Sequence, residues 1–260
     1  MKYSFSYLVT IQFLGFRFHG WQKQPKIKTL HESVDKTLTF VLKGDGFKTI
    51  GVGRTDSKVS SSNYHFQLFA DKEIIEIEFL ESFNRNAPSD LKTLSIEIVE
   101  DSNFNIIQSS KIKEYHYYFS NEGKNHPYAA PFMSGYKDLD IDKMIQGAKL
   151  FEGTHFFGSY CTKPSKDSLL VRTIDECKIV VNHFLRANFF PEQSYVLVVK
   201  GSGFLRYQIR LMMGALIEVG KGSMSLDEVK KSLVFTDDIK PLSTIAPGSG
   251  LHLYNVEFVK

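Results

Sequence analysis

Arg54 and Asp56 stand two residues apart in the segment Gly-Val-Gly-Arg-Thr-Asp-Ser-Lys-Val-Ser-Ser, residues 51 to 61, between two stretches of apolar, strand-like sequence. Gly51 and Gly53 are expected to let the chain turn sharply, so that Arg54 and Asp56 project from a constrained loop at the end of a sheet. If Asp56 faces a cleft, a neighbouring guanidinium keeps it ionised, and an ionised carboxylate in a partly dry site can act as nucleophile or base. The alternative for such a loop is a surface turn in which Asp56 bonds only its own backbone. The glycines begin like a dinucleotide fingerprint, but Asp56 occupies the place of the third glycine, where its charge would repel a pyrophosphate.

The other short motifs lead nowhere chemical. Gly-Ser-Gly-Phe-Leu-Arg at 201–206 puts Arg206 in the third glycine position, and no Gly-Lys-Ser/Thr triplet makes a phosphate loop, so no nucleotide cofactor is expected. The eight histidines are scattered and the two cysteines, Cys161 and Cys177, lack zinc-site spacing, so no metal is expected either. Asp138, Asp140 and Asp142 resemble the start of a calcium loop, but Lys143 stands where the glycine is needed and Lys149 where the bidentate glutamate belongs. They read as solvated carboxylates before a helix. The net charge of +3 is too small to attract a polyanion by itself, so a nucleic-acid site must be a local patch. No apolar run approaches a membrane span, and the N-terminus alternates instead of forming a signal-peptide core, which predicts a cytoplasmic protein.

With 260 residues, 42% of them hydrophobic, the chain can bury one large core or two smaller ones. Residues 3–13 alternate as a strand. Thr29 with Glu32 forms a capping box, followed by Leu30, Val34, Leu38, Val41 and Leu42 at helical spacing. Residues 47–53 and 63–70 read as strands around the Asp56 loop, 73–83 as a helix and 91–100 as a strand. The second half repeats the order: strand at 113–120, helix at 140–151, strands at 171–181 and 194–201, helix at 204–220, a capped helix opening at Ser225 with Glu228, and a last strand at 251–260. The predicted class is therefore α+β: two tandem ferredoxin-like halves, each β-α-β-β-α-β, residues 1–108 and 109–260, whose antiparallel sheets flank a central active-site cleft.

The Asp56 segment resembles the catalytic loop of the TruA-type tRNA pseudouridine synthases, which runs Gly-Arg-Thr-Asp, a small residue and shortly after Val. The likeness extends along nearly the whole chain in the family's order: Phe-Leu-Gly-Phe-Arg-Phe-His-Gly-Trp-Gln-Lys-Gln-Pro (13–25), Phe-Asn-Arg-Asn-Ala-Pro-Ser-Asp (83–90), Lys-Glu-Tyr-His-Tyr-Tyr-Phe (113–119), and blocks at 151–161, 171–179, 201–222 and 245–258. After Asp56 the family continues Ala-Gly-Val-His-Ala, where this chain has Ser57, Lys58, Val59, Ser60 and Ser61. An arginine usual upstream of the tyrosine strand is Ile107 here, and Ala87 replaces a leucine.

The resemblance implies that Asp56 is the catalytic nucleophile, Arg54 its loop neighbour, Tyr115 the aromatic that packs on the target base, and Arg210 the second-half arginine that pairs with the aspartate. It implies tRNA as partner, modification in the anticodon arm, and a homodimer. Isomerising uridine breaks N1–C1′ and joins C5 to C1′ with no redox change, so no cofactor is needed. A carboxylate opens it by attacking the sugar or the base, or by removing a sugar proton; the three routes stay open. The stacked base must be flipped out, for which Lys111, Lys113, Arg172, Arg206 and the 23–28 segment Lys-Gln-Pro-Lys-Ile-Lys are candidate phosphate contacts. Arg210 lies in an apolar helical stripe with Ile209, Met213 and Leu216, where a charge is costly unless a carboxylate receives it, and Asp56 is the expected partner. Two competing readings are an RNA-binding paralogue without catalysis and, less favoured for want of a second carboxylate about 5 to 9.5 Å away, a glycosidase.

Overall fold

The computed structural model describes residues 3–164 and 169–259. They form a mixed α/β protein of mostly antiparallel strands and, among the described residues, five α-helices, divided into two compact units: residues 1–111 with 253–260, and residues 112–252. No helix among them is long and apolar enough to cross a membrane.

Unit 1 opens with β1 (Phe5–Phe13), whose Tyr7, Val9, Ile11 and Phe13 are buried as the alternating sequence requires. Helix α1 (Leu30–Val41) starts at Thr29, whose hydroxyl accepts the Glu32 N–H, and buries Leu30, Val34 and Leu38 at a spacing of four. Strands β2 (Phe47–Gly51) and β3 (Ser60–Ala70) pair antiparallel and enclose the Asp56 loop. Helix α2 (Glu76–Asn86) contributes Phe79 and Phe83 to the core, and β4 (Leu91–Ile98) pairs with β1, so that β1 lies between β4 and β3.

Unit 2 opens with β5 (Lys111–Ser120), and the two-residue β6 (Ser134–Gly135) lies parallel to it. Helix α3 (Ile141–Lys149) is capped by Asp140, whose carboxylate accepts the Lys143 N–H at 3.0 Å and meets its ammonium at 2.8 Å; that is the structural role of the acidic run at 138–142. Strand β7 (Gly153–Phe156) pairs with β8 (Val171–Ile174), while β9 (Glu176–Val181) pairs with β10 (Ser194–Gly201), which pairs antiparallel in turn with β5. The single strand expected over 171–181 thus breaks at Asp175, whose N–H turns to the Lys200 carbonyl at 2.8 Å, and its two parts enter different sheets. Helix α4 (Gln208–Gly220) is buried nearly all round. It begins four residues later than its apolar pattern suggests, because Tyr207 takes a left-handed φ of 64° that helical residues cannot share. Helix α5 (Leu226–Ser232) carries the full capping box of Ser225 and Glu228.

The last strand, β11 (Leu251–Phe258), departs from the expected partition at 108/109. From Leu253 onward it belongs to unit 1, where the Ser61 hydroxyl donates to the Leu253 carbonyl at 2.7 Å, Asn63 donates to Asn255 at 2.6 Å, and His65 Nε2 meets the Val256 carbonyl at 3.2 Å. The hydrogen-bonding edge of β3 draws the strand there. Lys260, the end of the expected strand, lies outside the described residues.

One buried group of unit 2 makes stability depend on acidity. His252 is buried, stacks edge-on with Tyr118 at 4.8 Å and bonds the Phe132 backbone carbonyl; burial lowers its pKa from 6.5 to about 4. His65 and His116 are lowered in the same direction, also mainly by burial. The unfolded chain therefore binds more protons between these values, and stability is full above pH 6.5 and lost as the pH falls toward 4. At about 1.4 kcal/mol per unit, His252 alone accounts for up to about 3 kcal/mol. Urea unfolding at pH 7.5, 6, 5 and 4.5 should show a monotonic loss, diminished in His252→Phe; a flat profile in the parent protein contradicts it.

Candidate active site

The Asp56 loop is built against the segment that follows β1. Trp21 N–H donates to the Thr55 carbonyl at 3.2 Å, Lys58 N–H to the Phe18 carbonyl at 3.0 Å, and Val59 N–H closes the turn onto the Asp56 carbonyl at 3.3 Å. Asp56 is thus held on both sides by backbone bonds to residues 18–21. Its side chain is half-buried, between buried Thr55 and exposed Ser57, while Arg54 is exposed.

Three glycines allow this approach. A Cβ on Gly15 would lie 1.9 Å from the Val59 carbonyl oxygen, and one on Gly20, whose φ is +84°, would lie 2.3 Å from the Thr55 carbonyl oxygen. Gly51 is needed for a different reason from the one its sequence suggests: it has no left-handed φ, but a Cβ there would strike Tyr64 Oη at 2.2 Å and Trp21 Nε1 at 2.5 Å. The sharp turn is made by Lys58, at a φ of 67°. A left-handed backbone costs an ordinary L residue roughly 1–2 kcal/mol, so Lys58 holds the loop at some expense.

Beneath the loop lies a stack that sequence reading missed. Trp21 is buried, 4.3 Å from the Tyr64 ring and stacked at 5.0 Å on His31, while the Tyr64 hydroxyl donates to the Gly53 carbonyl at 2.6 Å. His31 Nε2 is 2.7 Å from Thr49 Oγ1, which itself donates to Asp35 at 2.7 Å, and Lys23 pairs with the same carboxylate. Because the Thr49 proton is committed to Asp35, His31 donates from Nε2. Burial lowers the His31 pKa, opposed by Asp35, so the ring stacks on Trp21 as neutral imidazole. The first N–H groups of α1 also serve this segment: Leu30 donates to the Gly20 carbonyl at 3.0 Å and His31 to the Trp21 carbonyl at 3.1 Å. The available signal was His31 and Asp35 four apart on one face of α1, facing Thr49 of β2.

Tyr115 and Arg210 are in unit 2, and each is fixed there. Tyr115 is buried on β5 opposite Val199, its ring edge-on to Phe204 at 5.2 Å. Arg210, in the first turn of α4, donates from Nε to the Ala246 carbonyl at 2.7 Å, and its own carbonyl accepts the Ala246 N–H at 3.1 Å; its guanidinium lies 4.8 Å from the Tyr207 ring centre. The Ala246 segment runs this close because Gly214 has no side chain: a Cβ there would meet the Thr244 carbonyl oxygen at 1.9 Å.

The candidate phosphate contacts divide. Lys111 is withdrawn from that role: it is buried and its ammonium donates to the carbonyls of Ile106, Ile107 and Ser109 at 2.6, 2.8 and 2.9 Å, closing a loop at the start of β5. Desolvation lowers its pKa accordingly. Lys113 is half-buried, Arg172 donates to its neighbour's carbonyl, Val171, at 2.8 Å, and Arg206 is exposed with its guanidinium 5.3 Å from the Tyr207 ring. Residues 22–28 are exposed throughout.

Known proteins resemble this sequence along most of its length. A family profile described as tRNA pseudouridine synthase matches residues 148–259. A tRNA pseudouridine synthase A of Listeria monocytogenes serotype 4a is 29% identical over 255 residues, covering 97% of this chain and 98% of its own. A tRNA pseudouridine synthase A 2 of Bacillus cereus is 29% identical over 256 residues, covering 97% and 99%. A tRNA pseudouridine synthase A of Listeria innocua serovar 6a is 28% identical over 255 residues, covering 97% and 98%.

The close approach at Gly20 gives a direct test of how the loop is held. Gly20→Ala introduces both a left-handed strain and a clash with backbone, together roughly 2–5 kcal/mol, which neither segment can relieve by a rotamer change. Unfolding of the variant should show that loss, and amide exchange at Thr55 to Val59 should accelerate; an unperturbed midpoint and unchanged protection contradict the clamp.

Proposed function

We propose that this chain, a relative of the TruA-type tRNA pseudouridine synthases along nearly its entire length, isomerises uridine to pseudouridine in tRNA with Asp56 as nucleophile. The observation that carries the proposal is the clamped Gly-Arg-Thr-Asp loop: backbone bonds from Trp21 to Thr55 and from Lys58 to Phe18 hold the main chain on either side of half-buried Asp56. A nucleophile or base held by its support loses little entropy on reaching the transition state.

The reaction balances within the nucleotide. The N1–C1′ bond breaks, the base turns, C5 bonds C1′, and the C5 proton leaves while N1 gains one. Asp56 opens this by attack on the sugar or the base, or by removing a sugar proton, each of which uses the ionised carboxylate. Arg54, Tyr115 and Arg210 are assigned to substrate binding: the Tyr115 ring for stacking on the uracil, the two guanidiniums for phosphate or carboxylate. We extend the proposal to the anticodon arm as the target, a homodimer as the working form and the cytoplasm as its place, on the same resemblance. The β-α-β-β-α-β order from β1 to β4, with β1 between β4 and β3, supports a ferredoxin-like reading of the first half, and we propose the same ancestry for the second.

Pseudouridine mapping of total tRNA from cells with the protein, without it, and with Asp56→Asn tests the reading. Modification at defined uridines should vanish on deletion and stay absent with Asp56→Asn, whose turnover in vitro should drop at least about a thousandfold with folding intact. An unchanged map after deletion removes tRNA as substrate. Full turnover by Asp56→Asn removes the nucleophile assignment, and tRNA binding by the parent protein without any modification leaves an RNA-binding paralogue.

A further inference from the structure

Four of the exposed cations around the Asp56 loop are of two kinds. Arg17 is paired with Asp90 at 2.7 Å, and Lys23 with Asp35. Lys28 and Lys58 rest instead on aromatic faces: Lys28 Nζ is 4.7 Å from the centre of the Phe18 ring and Lys58 Nζ is 5.3 Å from that of Phe16. Both lysines are exposed. An ammonium on a ring keeps its charge and turns its remaining N–H donors outward, whereas a carboxylate partner would cancel that charge.

The backbone draws the two lysines to the same short segment. Lys58 N–H donates to the carbonyl of Phe18, the residue whose ring carries Lys28, and His19 N–H donates to the carbonyl of Lys28 at 3.0 Å. Residues 16–19 are thus the common support. Lys58 is two residues from Asp56 and adopts a left-handed backbone at a position where glycine would be unstrained. An exposed lysine at a strained position adds nothing to the loop's stability that glycine would not, so its side chain is available for contact.

We propose that Lys28 and Lys58 form a phosphodiester clamp that grips the RNA backbone beside the target uridine. The chemistry it recognises is a pair of phosphates on one flexible strand: two point charges, each ammonium resting on a ring with its remaining N–H donors turned outward, contact phosphate oxygens without reading base identity. This rests on the RNA-modifying function proposed above. The clamp would fix the strand's position relative to Asp56 once the nucleotide is flipped, and its contribution must appear in affinity and in salt dependence, uniformly across target sequences.

The test measures tRNA binding by fluorescence anisotropy in the Asp56→Asn background, where substrate is not consumed, from about 50 to 300 mM KCl. Lys58→Asn and Lys28→Gln should each weaken binding roughly three- to tenfold near 100 mM and lower the slope of log K against log salt by about 0.7–0.9, the release expected from one phosphate contact. Lys58→Arg should retain both. Lys58→Gly should raise the thermal midpoint while weakening binding, a pair of opposite changes that a purely structural lysine cannot produce. Unchanged affinity and slope in both Lys58→Asn and Lys28→Gln, alongside normal pseudouridine formation by the parent protein, overturns the clamp and leaves the function standing. Absence of salt-dependent tRNA binding in the Asp56→Asn protein itself overturns both.

Discussion

The architecture of the Asp56 loop turns on a backbone-to-backbone approach between residues 15–21 and residues 55–59. Carbonyl and N–H groups from the two segments meet directly, so the distance between them is set by peptide geometry and not by adjustable side chains. That approach exists only because Gly15 and Gly20 present no Cβ to the Val59 and Thr55 carbonyls. Everything else in the region extends the same constraint: Gly51 lets Trp21 and Tyr64 reach under the loop, Tyr64 ties back to Gly53, and the first turn of α1 takes up the carbonyls of Gly20 and Trp21. Position is therefore imposed on Asp56 by main chain, which neither hops between rotamers nor yields to a passing ligand.

A second layer keeps the aromatic floor from turning. Trp21 has a flat face on His31, and His31 is oriented by a hydroxyl whose own proton is committed to a carboxylate. Such a chain of directed bonds, Lys23 to Asp35 to Thr49 to His31, specifies a tautomer as well as an angle. It runs from solvent at Lys23 to the core at Trp21, and it uses α1 and β2 at once. The helix, the strand and the loop are in this way made to agree on a single arrangement.

Much of this is legible in the sequence, for physical reasons that differ by element. The caps of α1 and α5 and the apolar faces of α1 and β1 are local patterns, and they form where the residues predict. The placing of the Asp56 loop between two strands is legible too, because the apolar runs on either side of it form β2 and β3. Other features are not. The sequence around Gly51 suggests torsional freedom, when its use is the space it leaves for rings from β3 and from residue 21. Lys111 looks like a surface cation, although three carbonyls from its own preceding loop enclose it. The strand expected over 171–181 conceals a break at Asp175, since its partner, the Lys200 carbonyl, comes from a distant strand. The start of α4 moves because one tyrosine takes a left-handed conformation. Each depends on neighbours or torsions that the local pattern of residue types does not carry.

The route of β11 has a consequence for how the protein must be made. Unit 1 is encoded first, yet the edge of β3 that binds Leu253, Asn255 and Val256 stays unpaired until all of unit 2 has left the ribosome. A nascent chain carries that open edge, with its polar Ser61, Asn63 and His65, while unit 2 is made, and pairing it closes a long loop. Completion of the unit that bears Asp56 thereby waits on residues 253–256, and a product truncated before them leaves that edge of β3 unpaired.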